Sequence, residues 1–575
     1  MAETLLSPGV LARENDQSFI QGQPVERGAA LIGPSTKGPV EIPTIIGSFS
    51  EYTAVFGGSV ESGSNLYSYF NSIAASNYFQ NGGNSLLVTR VTSGSFSPAV
   101  SSTIATGSGG PTDGLSPFVL ETISEGAIMN TGTTLLSGGA LATGSSDNIR
   151  WEIAGVNTSS GTFSLLVRRG DDTTNSKVVV EQYNNLSLDP YSSNYISKVI
   201  GDVDHTLVND GSDYYIQESG SYANASRFIR VKQVNYNTPR YFDNTGTAKN
   251  EFTGSLPVVG SGSFNGAVGS NIPTGRAANY YNNISSADSQ GLEGTDYTNA
   301  ISLMSNVDEY KYNVIAVPGL LNSEHSTQIT SIVNNTIARG DSISVIDLVK
   351  YNTTISTAIT QASGFDSSYA ATYWPWLQTI DPNIGEQVWI PASTMVPGVY
   401  AFTDASSDPW FAPAGITRGG LGQVTRAERK LSAGNRDSLY EANINPIATF
   451  PQSGVVVFGQ KTLQKRASAL DRINVRRLLI SLKSFISQIA DNLVFEQNSA
   501  STRNNFLSQV NPYLESVQQR QGLYAFKVVM DDTNNTPDVV DRNELIGQIF
   551  IQPTRTAEYI MLDFNVLPTG ATFPA

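Results

Sequence analysis

Three apolar runs of strand length crowd residues 522–566: 523–529, 545–551 and 559–566. Each is rich in β-branched and aromatic residues, which suit a pleated, half-buried surface. Between the first two lies 531–541, a polar segment with Asn534-Asn535 and Pro537, which is turn chemistry. The third run follows the break at Pro553. A strand placed this way either closes its own sheet or leaves to pair with a neighbour's open edge. The second outcome is expected here, which makes the chain a building block of a large polymer with its ends as couplings.

A chain of 575 residues exceeds one compact core, and roughly three to five domains are expected. Its polarity comes from Ser, Thr, Asn and 51 Gly rather than from charge, since only 15% of residues are charged. That mixture suits loop-rich β structure and wide contact surfaces. The net charge of −15 argues against a nucleic-acid backbone as partner, which needs clustered Lys and Arg. With no Cys, disulfides, thiolate catalysis and thiolate metal sites are excluded. The first residues carry neither a basic stretch nor an apolar one, so no export signal is expected, and no apolar run approaches the ~20 residues that span a bilayer.

Along the chain, residues 1–21 form an arm, with a turn at Ser7-Pro8-Gly9. Residues 22–92 read as β-α-β: a strand at 29–33, a helix over 65–80 and a strand at 86–91, the first part of an α/β domain. Residues 93–284 change texture to short alternating runs separated by Ser/Gly/Thr clusters, which predicts an inserted β-sandwich or barrel facing outward. Within it, 260–266 has the spacing of a dinucleotide loop, but no strand leads in and no periodic helix follows, so it reads as a flexible loop. Residues 285–440 return to α/β, with strands at 312–317 (ending at Pro318-Gly319) and 342–349, a helix over 324–338, and an apolar segment at 369–377. The alternation implies a mainly parallel, buried sheet. Residues 441–556 form a C-terminal α+β unit with a helix over 471–495 and a second over 501–519 that breaks or kinks at Pro512. Residues 557–575 are the second arm.

The order of motifs resembles the contractile tail sheath proteins of bacteriophages and related injection systems. Carrying the resemblance are Ser7-Pro8-Gly9-Val10 with Glu14, Gly33-Pro34 with Lys37-Gly38-Pro39, and Tyr78-Phe79-Gln80-Asn81-Gly82-Gly83 with Val88-Thr89-Arg90-Val91. Further on are Tyr373-Trp374-Pro375-Trp376-Leu377, Pro391-Ala392-Ser393, Pro397-Gly398-Val399-Tyr400, Ala412-Pro413-Ala414-Gly415, Asp531-Asp532-Thr533-Asn534-Asn535-Thr536-Pro537 and Ala557-Glu558-Tyr559-Ile560. The resemblance implies a non-catalytic, subtilisin-like α/β core. It implies six-fold rings stacked into a sleeve around an inner tail tube, and a metastable sleeve that shortens to drive the tube through a bacterial envelope. The partners implied are neighbouring sheath subunits, the tube protein, and baseplate and terminator proteins, with no nucleic acid, membrane insertion or cofactor. Localisation in a virion tail assembled in the host cytoplasm follows.

Two sets of residues are singled out within that frame. Pro8, Gly9, Val10 and Leu11, and Tyr559, Ile560, Met561, Leu562, Asp563, Phe564, Asn565 and Val566, are the expected arms that pair with neighbouring subunits. Lys465, Arg466, Arg472, Arg476, Arg477 and Lys483 form a local basic patch in an acidic chain, expected to face an acidic tube. At helical pitch Arg472, Arg476 and Lys483 fall on one stripe. The other readings are a solvated helix flank for the patch and an intramolecular edge strand for 559–566. A phage-derived bacteriocin or cellular injection system fits the same residues. A hydrolase would need an imidazole base, and the chain has only His205 and His325. His325 is the better placed, yet an exposed histidine at a helix start is the simpler account. A carbohydrate-binding protein is suggested only by the Ser/Thr/Gly-rich β segment.

Overall fold

The computed structural model describes residues 28–62, 65–211, 213–270 and 280–559. Short, continuously apolar strands dictate its centre. In Ala29–Gly33, Ala29 and Leu31 enter one core while Ala30 and Ile32 enter another. A strand buried on both faces must sit inside a sheet covered on both sides. That sheet has eight strands in the order Thr44–Ile46, Leu86–Arg90, Ala29–Gly33, Val314–Leu321, Ile343–Asp347, Ala370–Trp374, Asn445–Phe450, Gly454–Val457. The inner pairings are parallel, and the two outermost strands run antiparallel.

Helices cover both faces. Helix α1 (Phe70–Gln80) lies on one side, through Ile73 and Ala74, and α2 (Ser326–Arg339) on the other, through Ile329, Ile332 and Val333. Helix α3 (Val396–Ser406) joins α1 through Val399 and Tyr400, and α4 (Ala433–Glu441) joins α2 through Leu439. The aromatic run distributes itself the same way: Tyr373 and Trp376 enter the α1 side and Trp374 the α2 side. The Trp376 indole donates to Val349 O at 2.9 Å, and the Tyr373 and Tyr400 hydroxyls bond at 2.7 Å.

Between the strand at 86–90 and that at 314–321, the chain builds two four-stranded antiparallel sheets over one core. One orders Ile229–Val234, Phe118–Glu125, Pro98–Ser101, Phe264–Asn265; the other Val179–Ser187, Thr162–Arg169, Ile149–Asn157, Gly260–Gly262. Phe118 and Phe163 stack across it at 5.4 Å. The segment 260–266 is therefore not a free loop. Gly262 pairs with Trp151, and a Cβ there would lie 2.4 Å from the indole, so only glycine lets the strand close over that ring. The sandwich meets the α/β part through a polar seam. Arg90, 1% exposed, donates to Gly38 O at 2.6 Å and Glu125 O at 2.9 Å, and burial pulls its guanidinium down to about 10.

The last unit is α5 (Ile473–Asp491), α6 (Ala500–Gln519) and an antiparallel hairpin of Leu523–Val529 with Gln548–Pro553. Leu478, Leu482, Phe506, Val510, Leu514, Val517 and Leu523 fill its core with Trp410.

Several sequence expectations are corrected. Residues 65–80 are not one helix: Asn65–Ser68 is a strand and the helix starts at Phe70. The strand expected to end before Pro318-Gly319 runs on to Leu321, because a register irregularity absorbs the proline. Helix α6 continues through Pro512, since its packed face of Phe506, Val510, Leu514 and Val517 outweighs the lost amide.

Candidate assembly surfaces

In an open α/β sheet, small ligands bind beyond the carboxyl ends of the strands where the strand order reverses. Here that point lies between Ala29–Gly33 and Val314–Leu321. The chain fills it with its own side chains. Gln290 accepts the Phe70 amide at the head of α1 at 2.9 Å and donates to Pro318 O at 3.2 Å, while the Ser289 hydroxyl donates to Gly319 O at 2.6 Å. Gly319 has φ +106, and a Cβ on it would meet Gln290 Nε2 at 2.5 Å. The crevice is a packed joint.

Among the described residues, neither histidine is hydrogen-bonded to a hydroxyl as a general base would be. His205 pairs with Glu218 at 3.1 Å on the hairpin Asp204–Asn209/Tyr214–Ser219. His325 is only 2% exposed, which corrects the expectation of an exposed side chain; its Nδ1 accepts the Leu321 amide at 3.3 Å, and burial lowers its pKa. The notable carboxyl is Asp347, at the end of its strand and 5% exposed. It accepts the Ser393 amide at 3.1 Å and the Ser393 hydroxyl. Burial pushes it up to about 7, against those hydrogen bonds. Neither imidazole is hydrogen-bonded to this pair. Among the described residues no three His, Asp or Glu side chains group as a metal site, and no helix is long and apolar enough to cross a membrane.

The basic patch divides in two. Arg476 and Arg477 are each 4% exposed, so the stripe expected to be presented outward is in part an internal seam. Arg476 lies over the Tyr369 ring at 4.0 Å and donates to the Ser368 hydroxyl. Arg477 pairs with Asp404 of α3 at 2.5 Å and lies over Tyr400 at 4.6 Å. Arg472, half-buried, holds Glu558 at 2.7 Å and Asp471 at 3.1 Å. The reason is position: α5 docks by its first turns against the α/β part, so cations there find partners more than seventy residues away in sequence. Lys465, Arg466 and Lys483 remain exposed. Lys465 Nζ donates to Ser363 O at 2.8 Å, and Lys483 Nζ to the Tyr369 hydroxyl at 3.3 Å, so both border 363–369.

The seam yields a direct expectation. Arg477→Ala strands a largely buried Asp404 carboxylate, whose pKa burial already raises. The cost should be about 3 kcal/mol, the low end for breaking a buried pair because Asp404 keeps a partial path to water. A guanidinium melt followed by tryptophan fluorescence reads it, and an unchanged midpoint would show that the pair adds nothing.

Among the described residues, the hairpin Leu523–Val529/Gln548–Pro553 forms a two-stranded sheet by itself. Its inner residues Phe526, Ile549 and Ile551 pack on the helix pair, while Tyr524 and Phe550 are 63% and 57% exposed. Of the expected arm residues, Tyr559 is 77% exposed. Pro8, Gly9, Val10, Leu11, Ile560, Met561, Leu562, Asp563, Phe564, Asn565 and Val566 lie outside the described residues. Sequence reasoning missed one surface feature. Phe495, expected inside the helix, is fully exposed after α5 with φ +71. Its apolar character fitted the helical pattern, so nothing local marked it as a protrusion.

Residues 290–463 match the model of the phage tail sheath protein central domain, and residues 466–567 that of the phage tail sheath C-terminal domain. Two stretches of the chain thus carry domains of phage tail sheath proteins, and the resemblance read from its sequence is borne out. It is 42% identical over 185 residues to the tail sheath protein of Vibrio phage KVP40, covering 32% of this chain and 28% of that protein. It is 36% identical over 229 residues to the tail sheath protein of Enterobacteria phage T4, covering 40% of this chain and 35% of that one. The matched segments thus span about a third of the length of these relatives. A crystal structure of a sheath tail protein from Listeria innocua shares the fold, with a TM-score of 0.50 at 11% identity over 92% of this chain and 95% of that one.

Proposed function

We propose that the chain is the structural subunit of a contractile tail sheath, polymerising as stacked six-fold rings around an inner tube and shortening to drive it through a bacterial envelope. One observation carries the reading. The C-terminal hairpin pairs with no other strand among the described residues, so it offers open backbone edges, and Tyr559 opens an alternating apolar segment six residues beyond Pro553. An open edge and a donor strand on the same subunit are the two halves of a chain-to-chain coupling. Each donated ladder hydrogen bond adds about 0.5–1.5 kcal/mol net, so a mesh of them holds while larger contacts rearrange. The arms 1–21 and 557–575 then serve as couplings, and 441–556 as the polymerisation unit. The α/β part, 22–92 with 285–440, is the body, and 93–284 the outward-facing insertion. The α/β body acts without catalysis, as a subtilisin-like scaffold. The partners are other sheath subunits, the tube, baseplate and terminator proteins. The place is a virion tail assembled in the host cytoplasm, which the phage origin of the sequence relatives favours over a bacteriocin or cellular injection system. Negative-stain imaging of the expressed protein tests this: rings or tubes are expected, and monodisperse monomers at every concentration would overturn it.

The tube contact narrows to the exposed cations. Reversal of Lys465, Arg466 and Lys483 to Glu is expected to weaken tube capture by roughly tenfold per subunit at low salt, since exposed pairs contribute ~0–1 kcal/mol each and are screened. Co-sedimentation of sheath with tubes reads it, and full capture by the triple variant would remove the patch from the tube interface.

A further inference from the structure

After Pro553 the chain does not leave the subunit from the hairpin. It turns back, and its Glu558 carboxylate is held by three side chains from three different parts of the fold. Arg472, immediately before α5, donates through Nε to Oε1 at 2.7 Å and through Nη2 to Oε2 at 3.0 Å. Gln460, in the connector after Gly454–Val457, donates to Oε1 at 3.1 Å and to the Thr556 hydroxyl at 2.6 Å. The Tyr440 hydroxyl, on α4, reaches Oε2 at 3.0 Å. The clasp is stiff at its base. Gln460 is 3% exposed, and Arg472 sits 5.9 Å over the Tyr440 ring beside Lys461, itself 4.4 Å over the same ring. A two-pronged guanidinium–carboxylate contact fixes direction as well as distance, which a single ammonium does not.

We propose that Arg472, Gln460 and Tyr440 form a mooring that fixes where the C-terminal arm leaves the subunit. This rests on the reading of 557–575 as an inter-subunit arm and deepens it. The arm's expected strand begins at Tyr559, the residue after the moored carboxylate, so there is no slack between mooring and strand. With the clasp closed, the donated strand has a set heading relative to α4 and α5, and with it the position of the neighbour that receives it. Opening the clasp frees the stretch after Thr554, whose amide bonds to Gly522 O at 3.2 Å. It converts a fixed joint into a tether without breaking the pairing beyond. The mooring thus lets one strand connection serve two subunit arrangements.

Trypsin supplies the test, because exposed Arg555 stands just before the clasp. In dispersed full-length subunits, Arg472→Gln and Glu558→Gln are each expected to raise the rate of cleavage after Arg555 by tenfold or more, with Tyr440→Phe intermediate. Arg542→Gln, which removes an exposed pair on the hairpin loop, should leave that rate unchanged. Glu558→Gln alters no buried core residue, so it keeps the test valid should Arg472→Gln misfold. Cleavage of Glu558→Gln at the wild-type rate would overturn the mooring. A second readout separates this from the arm itself. Moored and unmoored subunits should both polymerise, but the unmoored ones should give sheaths of variable pitch by cryo-EM; a uniform wild-type pitch from Glu558→Gln would equally overturn it. Failure of the arm reading has a different signature, namely sheaths that form without the arm.

Discussion

A subunit ending at Thr556 is expected to stay folded and monomeric, and to form neither rings nor tubes at concentrations where the full chain polymerises. Among the described residues, none after Thr556 belongs to the four buried cores. Its one described anchorage is the half-buried Glu558, and its loss leaves Arg472 with Asp471 still beside it at 3.1 Å. Folding stability should therefore move little. Assembly should be lost outright, because a strand of about eight residues carries several ladder hydrogen bonds and its apolar face, ~5 kcal/mol or more per coupling. Multiplied round a ring, that is the difference between a mesh and free subunits. Analytical ultracentrifugation with negative-stain imaging measures it. Tubes of normal length from the shortened chain would mean that 559–566 is an intramolecular strand and that coupling resides elsewhere.

The second large effect concerns Asp347. Its pKa is raised from 3.8 to about 7 because its carboxyl is buried, and among the described residues only the Ser393 amide and hydroxyl favour the charged form. The sign follows from proton uptake. Below about pH 4 the carboxyl is neutral in both folded and unfolded chains, and its contribution is fully present. As pH rises towards 7 the unfolded chain releases the proton while the folded one keeps it, so stability falls and the loss is complete above 7. Its size is roughly 4 kcal/mol as an upper bound. Asp347→Asn keeps the shape and an acceptor for the Ser393 amide and never ionises. It should raise the melting temperature of the α/β part by several degrees at pH 8 and by nothing at pH 4. Glu428, pushed up to about 7 by burial, adds to the same window in the wild type and remains in the variant. Thermal melts at pH 4, 6 and 8 decide the matter; a difference between variant and wild type that does not grow with pH would show that Asp347 is not the titrating group.

The physical reading of the molecule changes most at the basic patch. Charges on a sequence helix look like a surface because helical pitch says only which residues share a stripe. It does not say what the stripe faces. The apolar periodicity of α5 located the helix to within a few residues, from 471–495 to Ile473–Asp491. Yet Arg476 and Arg477 turned inward, because Tyr369, Ser368, Asp404 and Tyr400 reach them from the α/β part. Their long stems bury well, and their planar heads stack on aromatic rings, which makes arginine the cation best tolerated at such a seam.

What the sequence determined by itself was local and repetitive. The strands at 29–33, 86–90, 343–347 and 523–529 declared themselves through short runs dominated by apolar and β-branched residues, and the motifs from Gly33-Pro34 to Ala557-Glu558 carried the resemblance to tail sheath proteins. Those signals survive because each needs only a few adjacent residues. Only the tertiary structure decided that 318–321 continues its strand, that Pro512 sits inside a helix, that Gly262 closes over Trp151, and that Ser289 and Gln290 fill the crevice where a ligand would otherwise lie. It also decided that Glu558 is held by Tyr440, Gln460 and Arg472. Each of these depends on groups brought together from distant parts of the chain, where the gain from packing and paired charge outweighs the local preference that the sequence displays.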